Sequence, residues 1–210
     1  MENPNIFTTY TKKMVDEQLI PRGINNEKVI KAMIETQRDL FVPDPYKSHS
    51  YEDHPLPIGY EQTISQPFIV AYMAQLLDLT GEEKILEIGS GCGYNAAILS
   101  KCAKQIYTVE IVHELAQFAQ RNLQKANCNN VQVLYGDGKL GYPPEAPYDI
   151  IVATAFGKQV PEALPSQLKE GGKILIPLGD ETSQTMTLIK KIDGKLVETK
   201  YTACKFVPIV

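Results

Sequence analysis

The chain has 210 residues, a net charge of −4, 43% apolar and 22% charged content, the balance of a soluble globular protein with one sizeable core. That charge argues against bulk nucleic-acid binding, which needs a basic, phosphate-neutralising surface; no apolar run reaches a membrane span and Met1–Tyr10 lacks a signal-peptide pattern, so a cytoplasmic protein is expected. Cys92, Cys102, Cys128 and Cys204 are scattered, with no C-x-x-C pair and no histidine at ligand spacing, so free thiols and no metal site are expected.

Residues 1–40 read as two helices joined at Ile20-Pro21-Arg22-Gly23. Proline and glycine stop the first, and Asn25 or Asn26 can cap the second, whose stripe is Val29, Ile30, Met33 and Ile34. Residues 41–67 hold five prolines yet keep Phe41, Val42, Tyr46, Tyr51, Leu56, Ile58, Tyr60 and Ile64. A long irregular segment with that apolar content reads as an ordered binding loop rather than disorder. Pro67 then opens a helix to about Leu79.

From Lys84 strand and helix alternate. Strands are expected at 84–88, 105–109, 131–135, 148–153 and 173–176, with helices at 94–103, 113–126 and near 161–168. Two last strands, about 184–192 and 195–207, are joined by the turn signal Asp193-Gly194, and lysines 190, 191, 195, 200 and 205 read as solvated faces of that hairpin. The pattern predicts an α/β fold: a doubly wound, mostly parallel sheet covered on both faces, with an antiparallel hairpin at one edge. One domain is expected, with residues 1–80 as an accessory and substrate-covering layer and 81–210 as a ligand-binding core.

Gly89-Ser90-Gly91-Cys92-Gly93-Tyr94 sits at a strand-to-helix junction, where the backbone approaches a ligand closely. Three acids stand at strand ends: Glu87, Glu110 and Asp137. Glu110 lies 21 residues beyond Gly89, the separation at which a carboxylate meets ribose hydroxyls. A pyrophosphate loop wants G-x-G-x-x-G, but Tyr94 takes the third glycine's place, and Glu87 puts negative charge where phosphates would lie. A ligand with a cationic end fits better. S-adenosylmethionine has one, with ammonium and sulfonium drawn to carboxylates, ribose to Glu110 and adenine to Asp137.

Further motifs sharpen this reading: Met14-Val15-Asp16-Glu17-Gln18-Leu19-Ile20, Arg38-Asp39-Leu40-Phe41-Val42-Pro43, Tyr51-Glu52-Asp53, Leu56-Pro57-Ile58-Gly59, Gln62-Thr63-Ile64-Ser65-Gln66-Pro67, Gly136-Asp137-Gly138, Thr154-Ala155 and Phe206-Val207-Pro208. In these and the glycine loop, in this order, the sequence resembles the protein-L-isoaspartate O-methyltransferases over nearly its full length. The resemblance implies a seven-stranded, Rossmann-like methyltransferase sheet and methyl transfer from S-adenosyl-L-methionine to isoaspartyl proteins and peptides, leaving S-adenosyl-L-homocysteine. It places the active-site serine at Ser65, beside Thr63. It carries cofactor contacts to Ile64, Gln66, Glu87, Gly89, Gly91, Glu110, Asp137 and Gly138, and substrate contacts to Ile58, Gly59, Val207 and Pro208. Neither nucleic acid nor membrane is an expected partner, and a monomer is the simplest assembly. The chain departs from the family's pattern at Glu61, where glycine is usual, at Ala155-Phe156-Gly157-Lys158, and at Val70, which replaces a histidine.

Overall fold

A computed structural model describes residues 4–210. Its centre is a seven-stranded sheet built from β3 (Lys84–Ile88), β4 (Gln105–Glu110), β5 (Val131–Tyr135), β6 (Tyr148–Ala153), β7 (Leu168–Gly179), β8 (Gln184–Ile192) and β9 (Lys195–Cys204). The spatial order is β5-β4-β3-β6-β7-β8-β9. The first five of these are parallel and the last two pair antiparallel at one edge. Strand order therefore reverses at β3, with β4 on one side and β6 on the other, and ligands of doubly wound sheets bind at such a switch point.

Alternation along β3 sends Ile85 and Glu87 to one face and Leu86 and Ile88 to the other. On the first face Ile85 joins a core shared with the N-terminal helices, including Met14, Leu19, Met33, Phe41, Ala96 and Ile98. On the second, Leu86 and Ile88 pack with Tyr107, Val109, Tyr148, Ile151 and Leu164. The helices on the first face are α1 (Pro4–Met14), α2 (Glu27–Glu35), α3 (Pro67–Leu77), α4 (Tyr94–Ser100) and α5 (His113–Lys125). After α1 the chain continues through a π turn and a 3₁₀ turn to Gly23, whose φ of +92° ends it. Asn26, rather than Asn25, caps α2 by accepting from the amides of Lys28 and Val29.

The sequence reading needs correction in two places. Residues 41–67 are not irregular throughout: β1 (Leu56–Gly59) and β2 (Gln62–Ile64) pair as an antiparallel hairpin. Its turn places Tyr60 and Glu61 at φ of +52° and +58°, a left-handed pair that Asn and Gly would signal and these residues do not. The helix expected near 161–168 is absent, and only a 3₁₀ turn at Pro165–Gln167 forms. A proline at 165 would press its ring against the carbonyl of residue 161 in a continuous helix. Elsewhere only boundaries move: α3 stops at Leu77, α4 at Ser100 and β9 at Cys204, while β7 is longer than expected, with an irregularity in its pairing beside Gly171-Gly172.

Candidate active site

At the carboxyl ends of β3, β4 and β6 the chain forms a crevice that is partly open to solvent, the position where doubly wound sheets bind their ligands. One wall is the loop after β3. Gly89 has φ +92°, and a Cβ there would meet Thr154 Oγ1 at 2.7 Å. The Thr154 hydroxyl donates to the Gly89 carbonyl at 2.5 Å, so the end of β6 clasps the glycine turn directly. Glu110, at the end of β4, ties in the other side. Its two oxygens accept from the amides of Gly91 (2.8 Å) and Val112 (3.0 Å), and its remaining lone pairs are available at the crevice it lines. Gly138 lines the crevice beyond it. Asp137 does not, and its side chain instead caps the turn that follows by accepting from the amide of Lys139 at 2.8 Å.

Glu87 lies behind the wall. It is fully buried, Asn95 Nδ2 donates to one oxygen at 2.7 Å, and the Thr108 hydroxyl donates to the other. Burial pushes its carboxyl up to about 7; the two hydrogen bonds oppose that rise and the neighbouring Glu110 adds to it. The expected negative charge is thus held one layer behind the crevice, reached through Asn95 and Ser90, which do line it.

The roof is the β1–β2 hairpin and its exit. Gln62, Thr63, Ile64 and Ser65 all line the crevice. Ile58 packs downward, its Cδ1 3.3 Å from where a Cβ on Gly91 would stand. Ile58 and Gly59 do not line the crevice, and neither does Gln66, whose side-chain amide holds the Asp53 carbonyl at 2.9 Å. The Ser65 hydroxyl has no hydrogen-bond partner among the described residues. Gln66, not Ser65, is the N-cap of α3, and α3 has no side-chain cap.

Arg38 fixes the Ser65 backbone. Its fully buried guanidinium donates from Nη2 to the Ser65 carbonyl (2.7 Å) and from Nε to the Ser50 carbonyl (2.8 Å). It lies 4.8 Å from the centroid of the Tyr94 ring, which Phe41 meets edge-on. Arg38 Nη1 finds no partner. Burial pulls the guanidinium below its ordinary pKa.

The chain's last residues close the mouth. Val207 and Pro208 line the crevice with Ile209 and Val210. They are laced to Phe156, whose amide donates to the Val207 carbonyl and whose carbonyl accepts from the Ile209 amide, both at 2.8 Å. Among the described residues the Val207 amide keeps no protein partner. Sequence reasoning passed over Ser90, Asn95, Arg38, Ile209 and Val210 as site residues. It quoted Thr154 only within a motif, although Thr154 directly follows a parallel strand that ends at Ala153 and the strand-end rule would have found it.

The chain resembles known proteins in sequence and fold. A family model described as protein-L-isoaspartate(D-aspartate) O-methyltransferase matches residues 9–210. The protein-L-isoaspartate O-methyltransferase of Gloeobacter violaceus is 48% identical over 197 residues, 93% of this chain and 96% of its own. That of Methanoregula boonei is 42% identical over 210 residues, 100% and 97%. A solved protein-L-isoaspartate O-methyltransferase superposes with a TM-score of 0.85 at 32% identity, over 94% of this chain and 65% of that longer one. A Plasmodium falciparum protein in complex with S-adenosyl-L-homocysteine has the same fold, with a TM-score of 0.83 at 22% identity over 95% of this chain and 98% of that one. By the family match and these identities, the chain belongs to the protein-L-isoaspartate O-methyltransferase family.

Proposed function

We propose that this protein transfers a methyl group from S-adenosyl-L-methionine to the free α-carboxylate of L-isoaspartyl residues in damaged proteins and peptides, initiating their repair. The observation that carries the reading is the uncommitted Ser65 hydroxyl on a roof segment whose backbone Arg38 holds at 2.7 Å, above a crevice at the sheet's switch point.

The chain's groups suit this cofactor. The Gly89 turn has no room for a side chain, Glu110 offers acceptors fitted to a ribose diol, and Asn95 Oδ1 is a buried acceptor with no partner that suits a ligand rich in N–H donors. Gly89, Gly91, Glu110 and Gly138 would hold the cofactor from below and Ile64 from the roof, with Glu87 supplying charge from behind; Asp137 and Gln66, which stand outside the crevice, brace the turn and the roof beside it. Bound there, it supplies a methyl group on a positively charged sulfur.

What remains for the protein is positioning. An α-carboxylate has a pKa of about 3.5 and is already ionised at neutral pH, so no strong base is required. Ser65 and Thr63 hold the substrate carboxylate by hydroxyl hydrogen bonds and orient one oxygen toward the methyl, an effect of proximity. Ile58, Gly59, Val207 and Pro208 bear on the flanking peptide, with the Val207 amide as a free donor. Ile64, Ile88 and Val109 keep the crevice partly apolar. That favours a step in which the anionic oxygen loses its charge.

The test is incubation with methyl-labelled S-adenosylmethionine and paired peptides that differ only in Asp or isoaspartate at one position. Base-labile label on the isoaspartyl peptide alone is expected. Label on both, or on neither, would overturn the reading.

A further inference from the structure

Two residues of the crevice wall, Ser90 in the glycine loop and Asn95 in α4, share one buried partner. Asn95 and Ser90 both line the crevice and are 9% and 5% exposed. Asn95 Nδ2 donates to Glu87 Oε1 at 2.7 Å. Ser90 Oγ lies 2.7 Å from Thr108 Oγ1, and the Thr108 hydroxyl bonds Glu87 Oε2.

Counting protons fixes the direction of each bond. An ionised Glu87 accepts only. Thr108 therefore spends its single hydroxyl proton on Glu87, and Ser90 spends its own on Thr108. Asn95 likewise turns its NH₂ to Glu87, which leaves Oδ1 as the end directed elsewhere; that atom is the buried acceptor without a partner. Ser90 thus has only acceptor capacity left for a ligand, and Asn95, with one of its two amide hydrogens spent on Glu87, offers Oδ1 as its unused acceptor. Adding one proton to Glu87 reverses the first chain: Glu87 donates to Thr108, Thr108 to Ser90, and Ser90 to the crevice.

We propose that Ser90 and Asn95 are recognition residues for the ammonium group of the bound cofactor, set as acceptors by the buried Glu87 carboxylate, through Thr108 in the case of Ser90. The assignment rests on the S-adenosylmethionine reading above and adds to it the residues that select a cationic amino-acid end. It also makes cofactor affinity depend on the charge of a group the ligand does not touch. Glu87 holds its proton to about pH 7 when the crevice is free, so ammonium binding and ionisation of Glu87 reinforce each other. The other titratable groups around it are Glu110 on β4, which raises its pKa, and the buried Cys92 thiol.

Titration calorimetry on the full chain tests this with S-adenosylhomocysteine and with its analogue in which hydrogen replaces the amino group. Affinity for S-adenosylhomocysteine is expected to fall about tenfold from pH 7.5 to 6, as a group titrating near 7 would impose, while the analogue shows no such fall. Thr108→Val should weaken S-adenosylhomocysteine about tenfold at pH 7.5 and flatten the profile. Thr108→Ser, which keeps the hydroxyl, should restore both, and Asn95→Leu should weaken the amine-bearing ligand alone. Parallel pH profiles for the two ligands, or a folded Thr108→Val that keeps the wild-type profile, would overturn the relay while leaving the cofactor reading intact. Failure of the wild type to bind S-adenosylhomocysteine at any pH would overturn both.

Discussion

Replacing Ser65 with alanine separates a positioning role from a structural one, because the structure gives the hydroxyl nothing to do in the fold. It caps no helix, since Gln66 is the N-cap of α3 and no side chain caps that helix. The Arg38 bond is made to the Ser65 carbonyl at 2.7 Å and survives the substitution. Ser65→Ala should therefore change stability by no more than about 0.5 kcal/mol, the scale of substitutions that lose no specific interaction. In the reaction the same hydroxyl would donate to a carboxylate. A hydrogen bond to a charged group contributes roughly 1.5–3 kcal/mol, which converts to a loss of about 10- to 150-fold in kcat/KM. The assay is initial-rate methylation of an isoaspartyl peptide, with cofactor dissociation constants by calorimetry and Tm by differential scanning. The expected pattern is a large fall in kcat/KM, cofactor affinity within about threefold of wild type, and an unshifted Tm. An equal loss of cofactor affinity and turnover, or a fall in Tm of several degrees, would refute the reasoning.

Other substitutions probe the roof and the buried carboxylate. Glu61→Gly should lower KM for isoaspartyl peptides, by removing an exposed carboxylate beside an anionic substrate. It should also leave stability unchanged or slightly raised, because Glu61 stands at φ +58°, where a side chain costs roughly 1–2 kcal/mol; a higher KM would refute the repulsion. Arg38→Lys replaces a fork that reaches two carbonyls with a single point of charge. It should destabilise by roughly 2–4 kcal/mol in urea titrations, reasoning from two charge-assisted bonds, and should lower kcat/KM more than cofactor affinity. Glu87 stays protonated in the folded chain to about pH 7, against an ordinary value of 4.5. The folded state thus binds the extra proton, and stability should fall as pH rises from 4.5 to 7 and then level off. A shift of that size corresponds to about 3 kcal/mol; Glu87→Gln should abolish that part of the slope, and an unchanged slope in urea titrations would count against a raised carboxyl.

Most of the fold was legible because its signals are local. Short apolar strands alternate with amphipathic helices from Lys84 onward, and each of the sheet strands was placed to within a few residues. The two failures have opposite causes. The β1–β2 hairpin turns on Tyr60 and Glu61 in left-handed backbone, a conformation that pairing over Ile58 and the glycine loop imposes against local preference. Conversely, helical spacing over 161–168 was outweighed by Pro165, and the chain crosses from β6 to β7 through turns instead.

The site divides in the same way. Its cofactor half follows from strand ends, and Gly89, Glu110 and Gly138 stand in the crevice because β3, β4 and β5 deliver them there. Its acceptor half depends on a contact that no spacing encodes: Arg38, in a short 3₁₀ turn before the proline-rich segment, holds a carbonyl 27 residues away. By composition a lone arginine in such a turn reads as surface, and arginine is seldom buried unless paired. Here the stacking on Tyr94 and the two backbone carbonyls stand in for a carboxylate partner, and Nη1 is left over. A buried cation with an unspent donor is costly to keep, yet its partners join the roof at Ser65 to the wall at Tyr94. An anionic substrate is the ligand whose binding such a cation would favour. On the proposed reading the acceptor preference is therefore built from two parts of the chain, a hydroxyl that would touch the substrate carboxylate and a charge behind it that holds the hydroxyl's backbone in place.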